Sequence, residues 1–133
     1  MSSEPFAEHG GRAIGVAAFF DEPVARDALV ARVAEVTSRE PLVFPEGRDP
    51  VRSIGIVSGA APDDVHAAIA RGLDAFLTGE PAERVAAIAR ESGMTFIAAG
   101  HHATERFGVR RLGEHLAARF DVRQTFADVP NPI

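Results

Sequence analysis

Cysteine is absent from this 133-residue chain, which excludes disulfides and any thiolate metal site. Lysine is absent as well: all fourteen basic residues are arginine. With abundant alanine, that reads as a coding bias rather than a functional choice. Positive charge is in deficit, the formal net charge being −5. A nucleic-acid backbone as main partner needs a basic patch, so that class is set aside. No run of eighteen apolar residues occurs, and no membrane span is expected. The opening MSSEPFAEHGG lacks the charged and apolar regions of a signal peptide. The expectation is a soluble cytoplasmic protein without nucleic-acid or membrane partners.

What is present is ordinary for a globular domain. Hydrophobic residues make up 46% and charged ones 25%. The length suits one domain, spanning 1–133, and folding would bury roughly two-thirds of the extended surface. Residues 1–11 are polar and glycine-rich and are expected to be flexible. Residues 12–50 read as a strand–helix–strand unit. The apolar run Ala13–Phe20 is of strand length, and Asp21-Glu22-Pro23 offers an acidic N-cap and a first-turn proline. The helix then runs to about Thr37 with Leu29, Val30, Val33 and Val36 inward, and Leu42–Phe44 is the second strand.

Residues 51–133 read as three repeated strand–helix units plus a final strand. Ser53–Val57 ends in Ser58-Gly59, Asp74–Leu77 in Thr78-Gly79-Glu80, and Met94–Ala98 in Gly100-His101. Helices follow from Pro62, from Pro81 and from the His101 region, the last carrying Val109, Leu112, Leu116 and Phe120 on one stripe. Val122–Val129 is expected to close the chain as a strand before a Pro-Asn-Pro tail. Ile54, Ala75 and Phe96 recur at a constant interval of 21 residues. Alternation of strands and amphipathic helices implies right-handed crossovers. The fold class is therefore α/β: a layered domain with a mixed, largely parallel sheet of about six strands and four helices. Its three strand-end loops gather along one edge, where open α/β sheets bind ligands.

At that edge the stretch Ala98–Arg106 reads AAGHHATER. His101 and Glu105 are four residues apart, so a helix brings an imidazole and a carboxylate to one face. That pair suits a borderline divalent metal, and it equally suits a plain first-turn charge favoured by the helix dipole. His102 points about 100° away and is expected behind the ligands or in a purely structural role. Thr104 is a cap or a hydrogen-bond donor. Glu80 lies at the neighbouring strand end, before a helix proline that favours acid there anyway. Gly79, like Gly59 and Gly100, allows a tight backbone turn after its strand. His66, His115, Arg110 and Arg111 read as solvated helix-surface residues.

GHHATE, preceded by TGE at Thr78–Glu80 and followed by DVPNPI at Asp128–Ile133, resembles the Nif-three-like dinuclear metal centre family, the GTP cyclohydrolase type II homologs. The resemblance runs from about Ala13 to the last residue and matches the carboxy-terminal half of such proteins. The resemblance implies half of a Nif-three-like fold and a divalent metal such as zinc, iron or manganese. It gives His101 and Glu105 as metal ligands, Glu105 binding directly or bridging two ions. Glu80 becomes the catalytic candidate, accepting a proton from water or hydrogen-bonding a substrate amine or hydroxyl. His102, Thr104 and Gly79 fall beside the ligands or the substrate.

The family's earlier half, with a His-His pair and a later His-Thr-Asn…Asp segment, has no counterpart here: His9 is followed by two glycines and His66 stands alone. Two readings follow. One is a divalent-metal-binding domain of a metal-dependent hydrolase opening a purine nucleotide such as GTP, with an incomplete site in one chain. The other is a non-catalytic truncated half-domain serving as an oligomerisation or binding module. Either implies a homo-oligomer or a second chain that supplies the missing ligands; full-length relatives are expected to form rings of six.

Overall fold

The computed structural model describes residues 1–129 and 131. Its strands are β1 (Ser2–His9), β2 (Arg12–Val24), β3 (Leu42–Pro45), β4 (Val51–Ile56), β5 (Ala75–Thr78) and β6 (Thr95–Ala98). Its helices are α1 (Arg26–Thr37), α2 (Val65–Ala70, entered through a 3₁₀ turn at Pro62–Asp64), α3 (Glu83–Ser92) and α4 (His101–Phe120). The fold is α/β with one mixed six-stranded sheet in the order β1-β2-β4-β5-β6-β3. Parallel pairing is confined to β4–β5–β6, and β1–β2, β2–β4 and β3–β6 are antiparallel.

Two cores flank the sheet. On one face Phe6, Phe76 and Phe96 pack with Val65, Ala68, Val85 and Ala89 of α2 and α3. The rings form a row: Phe6–Phe76 at 6.2 Å, Phe76–Phe96 at 5.8 Å and Phe96–Phe44 at 5.8 Å between centroids. Gly55 on β4 makes the first contact possible, because a Cβ there would stand 3.0 Å from the Phe6 ring. On the other face α1 sets Leu29 and Val33 against Ala18, Ile54, Leu77 and Ile97. Thr37 is buried at the end of that stripe while Val36 stays 41% exposed.

Residues 1–11, expected to be flexible, carry strand β1 and the turn that follows it. Gly10 and Gly11, at φ 57° and 76°, form a two-residue turn that pairs His9 with Arg12. Two successive positive-φ residues suit the right-handed twist of a hairpin, and Gly-Gly takes that shape freely. Phe6 then buries itself in the core, 4% exposed, and holds the strand down. The start of α1 also differs. β2 continues through Pro23 to Val24, and the helix begins at Arg26. Its first amide is capped from a distance: the Arg26 N–H donates to Asp49 Oδ1 at 3.0 Å. The local acid Asp21 stays exposed.

The final strand expected at Val122–Val129 does not form. The place beside β6 where a crossover strand would pair is already taken by β3. Instead the chain turns at Asp121 (φ 51°) and runs back along α4. Phe126 lies under the Arg110 guanidinium at 5.2 Å, and Asp128 accepts from Arg106 at 3.0 Å. Pro130, Pro132 and Ile133 of the expected tail lie outside the described residues. The 21-residue interval slips by one at its second step, since Ala75 pairs with Thr95 rather than Phe96. No helix among the described residues is long and apolar enough to cross a membrane.

Candidate functional site

The carboxyl ends of β4, β5 and β6 deliver three glycine-bearing loops to one edge of the sheet, and backbone bonds tie them together. The Gly59 carbonyl accepts from the Gly79 and Glu80 amides at 2.9 and 3.1 Å and from the Thr78 hydroxyl at 3.1 Å. The Gly100 amide donates to the Gly79 carbonyl at 2.8 Å. Gly79 sits where nothing larger fits: a Cβ would lie 2.6 Å from Gly59 O, 2.7 Å from His101 Cα and 2.8 Å from Thr104 Oγ1.

Thr104 closes the arrangement from α4. Its buried hydroxyl accepts from the Gly59 amide at 3.0 Å and lies 2.9 Å from the Gly100 carbonyl, to which it donates. That bond returns to the carbonyl four residues back in the first turn, a common habit of helical threonine. Thr104 thus holds the helix against the β4 loop, with its hydroxyl fully used.

His101 projects between two carboxylates. Its Nδ1 lies 2.5 Å from Glu80 Oε1, and its Nε2 lies 3.1 Å from Glu105 Oε2. The side chains of His101 and Glu80 are about one-third exposed, that of Glu105 about half. The bond to Glu80 raises the His101 pKa above its ordinary value, partial desolvation opposes this, and the Glu105 charge adds to it. Gly59, at φ +73°, provides the floor, since a Cβ there would run into Glu105 and reach 3.2 Å from His101 Nε2.

The two acids meet opposite edges of the ring, so they do not converge with it on one point. Among the described residues no group of three or more His, Asp or Glu gathers to hold an ion. Nε2 and Glu105 nevertheless form two corners of a possible coordination sphere. Glu80 on Nδ1 is the carboxylate–histidine arrangement that orients a metal-binding imidazole. His101 Nε2 and Glu105 thus offer two donors on one side of the ring, fewer than the three protein ligands a catalytic zinc ordinarily takes. The recess over them measures about 370 Å³ and is lined by Glu80, His101, His102, Glu105 and Asn131.

His102 faces away from the pair, with Nε2 3.8 Å from Asp128. It lines a second recess of about 320 Å³ with Thr37, Ser38, Arg39, Arg106 and Asp128. Arg106 donates to the Thr37 carbonyl at 3.0 Å and so fastens α4 to the end of α1. The sequence alone offered no signal for this cluster, in which even the bonded pair Thr37 and Arg106 lies 69 residues apart along the chain.

A family model described as Duf34/NIF3 (NGG1p interacting factor 3) matches residues 2–132. A protein of Pseudomonas aeruginosa named GTP cyclohydrolase 1 type 2 homolog is 42% identical over 128 residues, covering 96% of this chain and 50% of that protein. One of the same name from Pasteurella multocida is 40% identical over 126 residues, covering 94% and 50%. Among solved structures, the protein ybgI, described as of unknown function, superposes with a TM-score of 0.90 at 34% identity, over 99% of this chain and 52% of that one. TTHA1606 from Thermus thermophilus gives 0.72 at 29% identity, over 98% and 51%. The chain thus spans about half the length of the relatives it matches.

Proposed function

The chain belongs to the Duf34/NIF3 family, and from that premise we propose that it is a divalent-metal-binding half-domain of a hydrolase, carrying part of a metal site that other groups complete. The observation that carries this is His101, held at Nδ1 by Glu80 while its Nε2 meets Glu105 at 3.1 Å on a glycine-lined edge. In its working form the protein assembles in the cytoplasm with further copies or with a chain that contributes the missing donors. The name shared by the bacterial relatives suggests a purine nucleotide such as GTP as substrate and hydrolytic ring opening as the reaction.

Each residue has a role under this reading. His101 and Glu105 bind the cation. Glu80 fixes the tautomer that leaves Nε2 free and can take up a proton released beside the ring. Thr104 and Gly79 hold the loops in register. A bound divalent ion supplies Lewis acidity and makes water nucleophilic near neutral pH. The alternative, a half-domain that assembles without catalysis, is favoured by the count of two ligands in one chain.

Metal content of extensively dialysed protein, measured beside its native mass, tests the reading. Wild type is expected to hold well below two ions per dispersed monomer and to gain metal on assembly, and His101→Ala to lose it. Two tightly held ions in a monomer, or unchanged metal in His101→Ala, would refute the partial site. Loss of purine absorbance on incubation with GTP and metal separates the hydrolase from the non-catalytic alternative.

A further inference from the structure

The recess on the far side of His102 differs in charge from the one over His101. We propose that it binds a phosphate group of a small molecule, with Arg39 as the principal ligand. This extends the metal-site reading by naming the part of a substrate that lies beside the cation, and it is tested on metal-free protein so that the two can fail separately.

Arg39 stands apart among the described arginines. The other half-buried ones are engaged: Arg26 donates to the Pro45 and Gly47 carbonyls, and Arg106 to Asp128 and Thr37. Arg39 is half-buried, yet its guanidinium makes no hydrogen bond or ion pair with any described residue. Withdrawing such a group from water without a partner is unfavourable. Two backbone features nevertheless place it there. α1 ends in a left-handed Ser38 (φ 58°), which turns the chain toward the site. Gly100, at φ +93°, then leaves room for the guanidinium, since a Cβ at that position would run into it; Gly100 itself lines the neighbouring recess with Glu40 and Glu80, and Arg39 lines both.

The surrounding groups suit an oxyanion. Ser38 Oγ accepts from Arg106 at 3.3 Å, and its own proton remains available to donate. His102 lines the same wall. Asp128 is the one carboxylate among the described residues lining the recess, and Arg106 holds it at 3.0 Å. Its charge is thereby offset, and within this recess Arg39 is the cation without an ion pair to a described residue. Glu40 and Glu80 face Arg39 across its other side without pairing to it. A planar guanidinium recognises phosphate through two parallel bonds. At about 320 Å³ the space exceeds a phosphate group alone, and His102 and Asn131 line both recesses. The remainder of such a molecule would reach toward His101.

Metal-free protein titrated with inorganic phosphate and with glycerol 2-phosphate, followed through the amide signals of Gly100 and His102, tests this. Both probes are expected to bind saturably, and Arg39→Ala to weaken them about tenfold, the loss of one charge-assisted contact. Arg39→Lys should bind more weakly than wild type but more tightly than Arg39→Ala, since a point charge still attracts phosphate without forming the two parallel bonds. His101→Ala should leave both unchanged. Because the Arg39 guanidinium bonds to no other described residue, its variants are expected to keep the wild-type melting temperature. Wild-type affinity in Arg39→Ala would overturn the proposal, and so would loss of binding in His101→Ala, which would move the anion to the other recess. The tighter of the two probes identifies the source, an ester or the free ion.

Discussion

Helix α4 is one helix with two unlike regions. Its first turn is locked: Ala103 and Thr104 are buried, and Thr104 bridges the Gly59 amide and the Gly100 carbonyl. Beyond that turn, Val109, Leu112, Leu116 and Phe120 are 58%, 57%, 40% and 61% exposed, and the returning chain covers only a neighbouring strip. The contrast separates what this chain supplies from what it lacks. Site geometry is set by backbone contacts within the chain. The outer part of α4 stays uncovered among the described residues, and under the proposed reading both its coverage and the completion of the metal site come from another body.

Alanine substitution at two glycines should show the difference at its largest. Gly79→Ala pushes a methyl into two backbones and the Thr104 hydroxyl, and a loss of about 3 kcal/mol is expected. Gly108→Ala, on the part of α4 where nothing lies within 4 Å, should stabilise by about 0.5 to 1 kcal/mol through helix propensity. Thermal unfolding of both variants measures this, and equal effects would erase the distinction between the regions.

A smaller effect sharpens it. Thr104→Val leaves the buried Gly59 amide without an acceptor, at a cost of about 1 to 3 kcal/mol. Leu116→Gln on the open stripe should change monomer stability by no more than about 0.5 kcal/mol. It should, however, shift sedimentation toward smaller species wherever wild type assembles. A substantial drop in monomer stability for Leu116→Gln would mean that the stripe is covered within the chain.

Acid titration gives the finest distinction. The His101 pKa is raised above about 6.5 in the folded state, first by the bond to Glu80. The resulting stabilisation is therefore full below the unfolded value and is lost as pH rises through the folded one. Metal uptake, which needs a neutral Nε2, should rise over that same interval. Histidine NMR titration of Glu80→Gln should show the His101 midpoint moving down toward the ordinary value. An unmoved His101 midpoint would show that Glu80 does not hold the ring.

Much of the site was readable from residue order. Four-residue spacing put His101 and Glu105 on one face, and repeated strand–glycine–helix units put Glu80 at the same edge. Thr104 was readable as a hydrogen-bonding residue of the first turn, although it does not cap the helix, and not as the bridge to Gly59, because that partner lies 45 residues away. The role of Glu80 on Nδ1 and the second recess were hidden for the same reason: neither has a local signature. The hairpin at Gly10-Gly11 did carry one, a two-residue Gly-Gly turn, which polar composition masked. The closing strand was a plausible pattern, but the position beside β6 is occupied by β3.

Local order alone therefore determined the alternating α/β pattern, the glycine-ended loops and the imidazole–carboxylate pair, since these follow from helix and strand periods. Tertiary structure decided which strand occupies each edge, which acid faces which ring nitrogen, and where Arg39 and the stripe on α4 are left unsatisfied. Those outcomes depend on competition for shared positions between residues far apart in the chain, and no spacing within one segment encodes the winner.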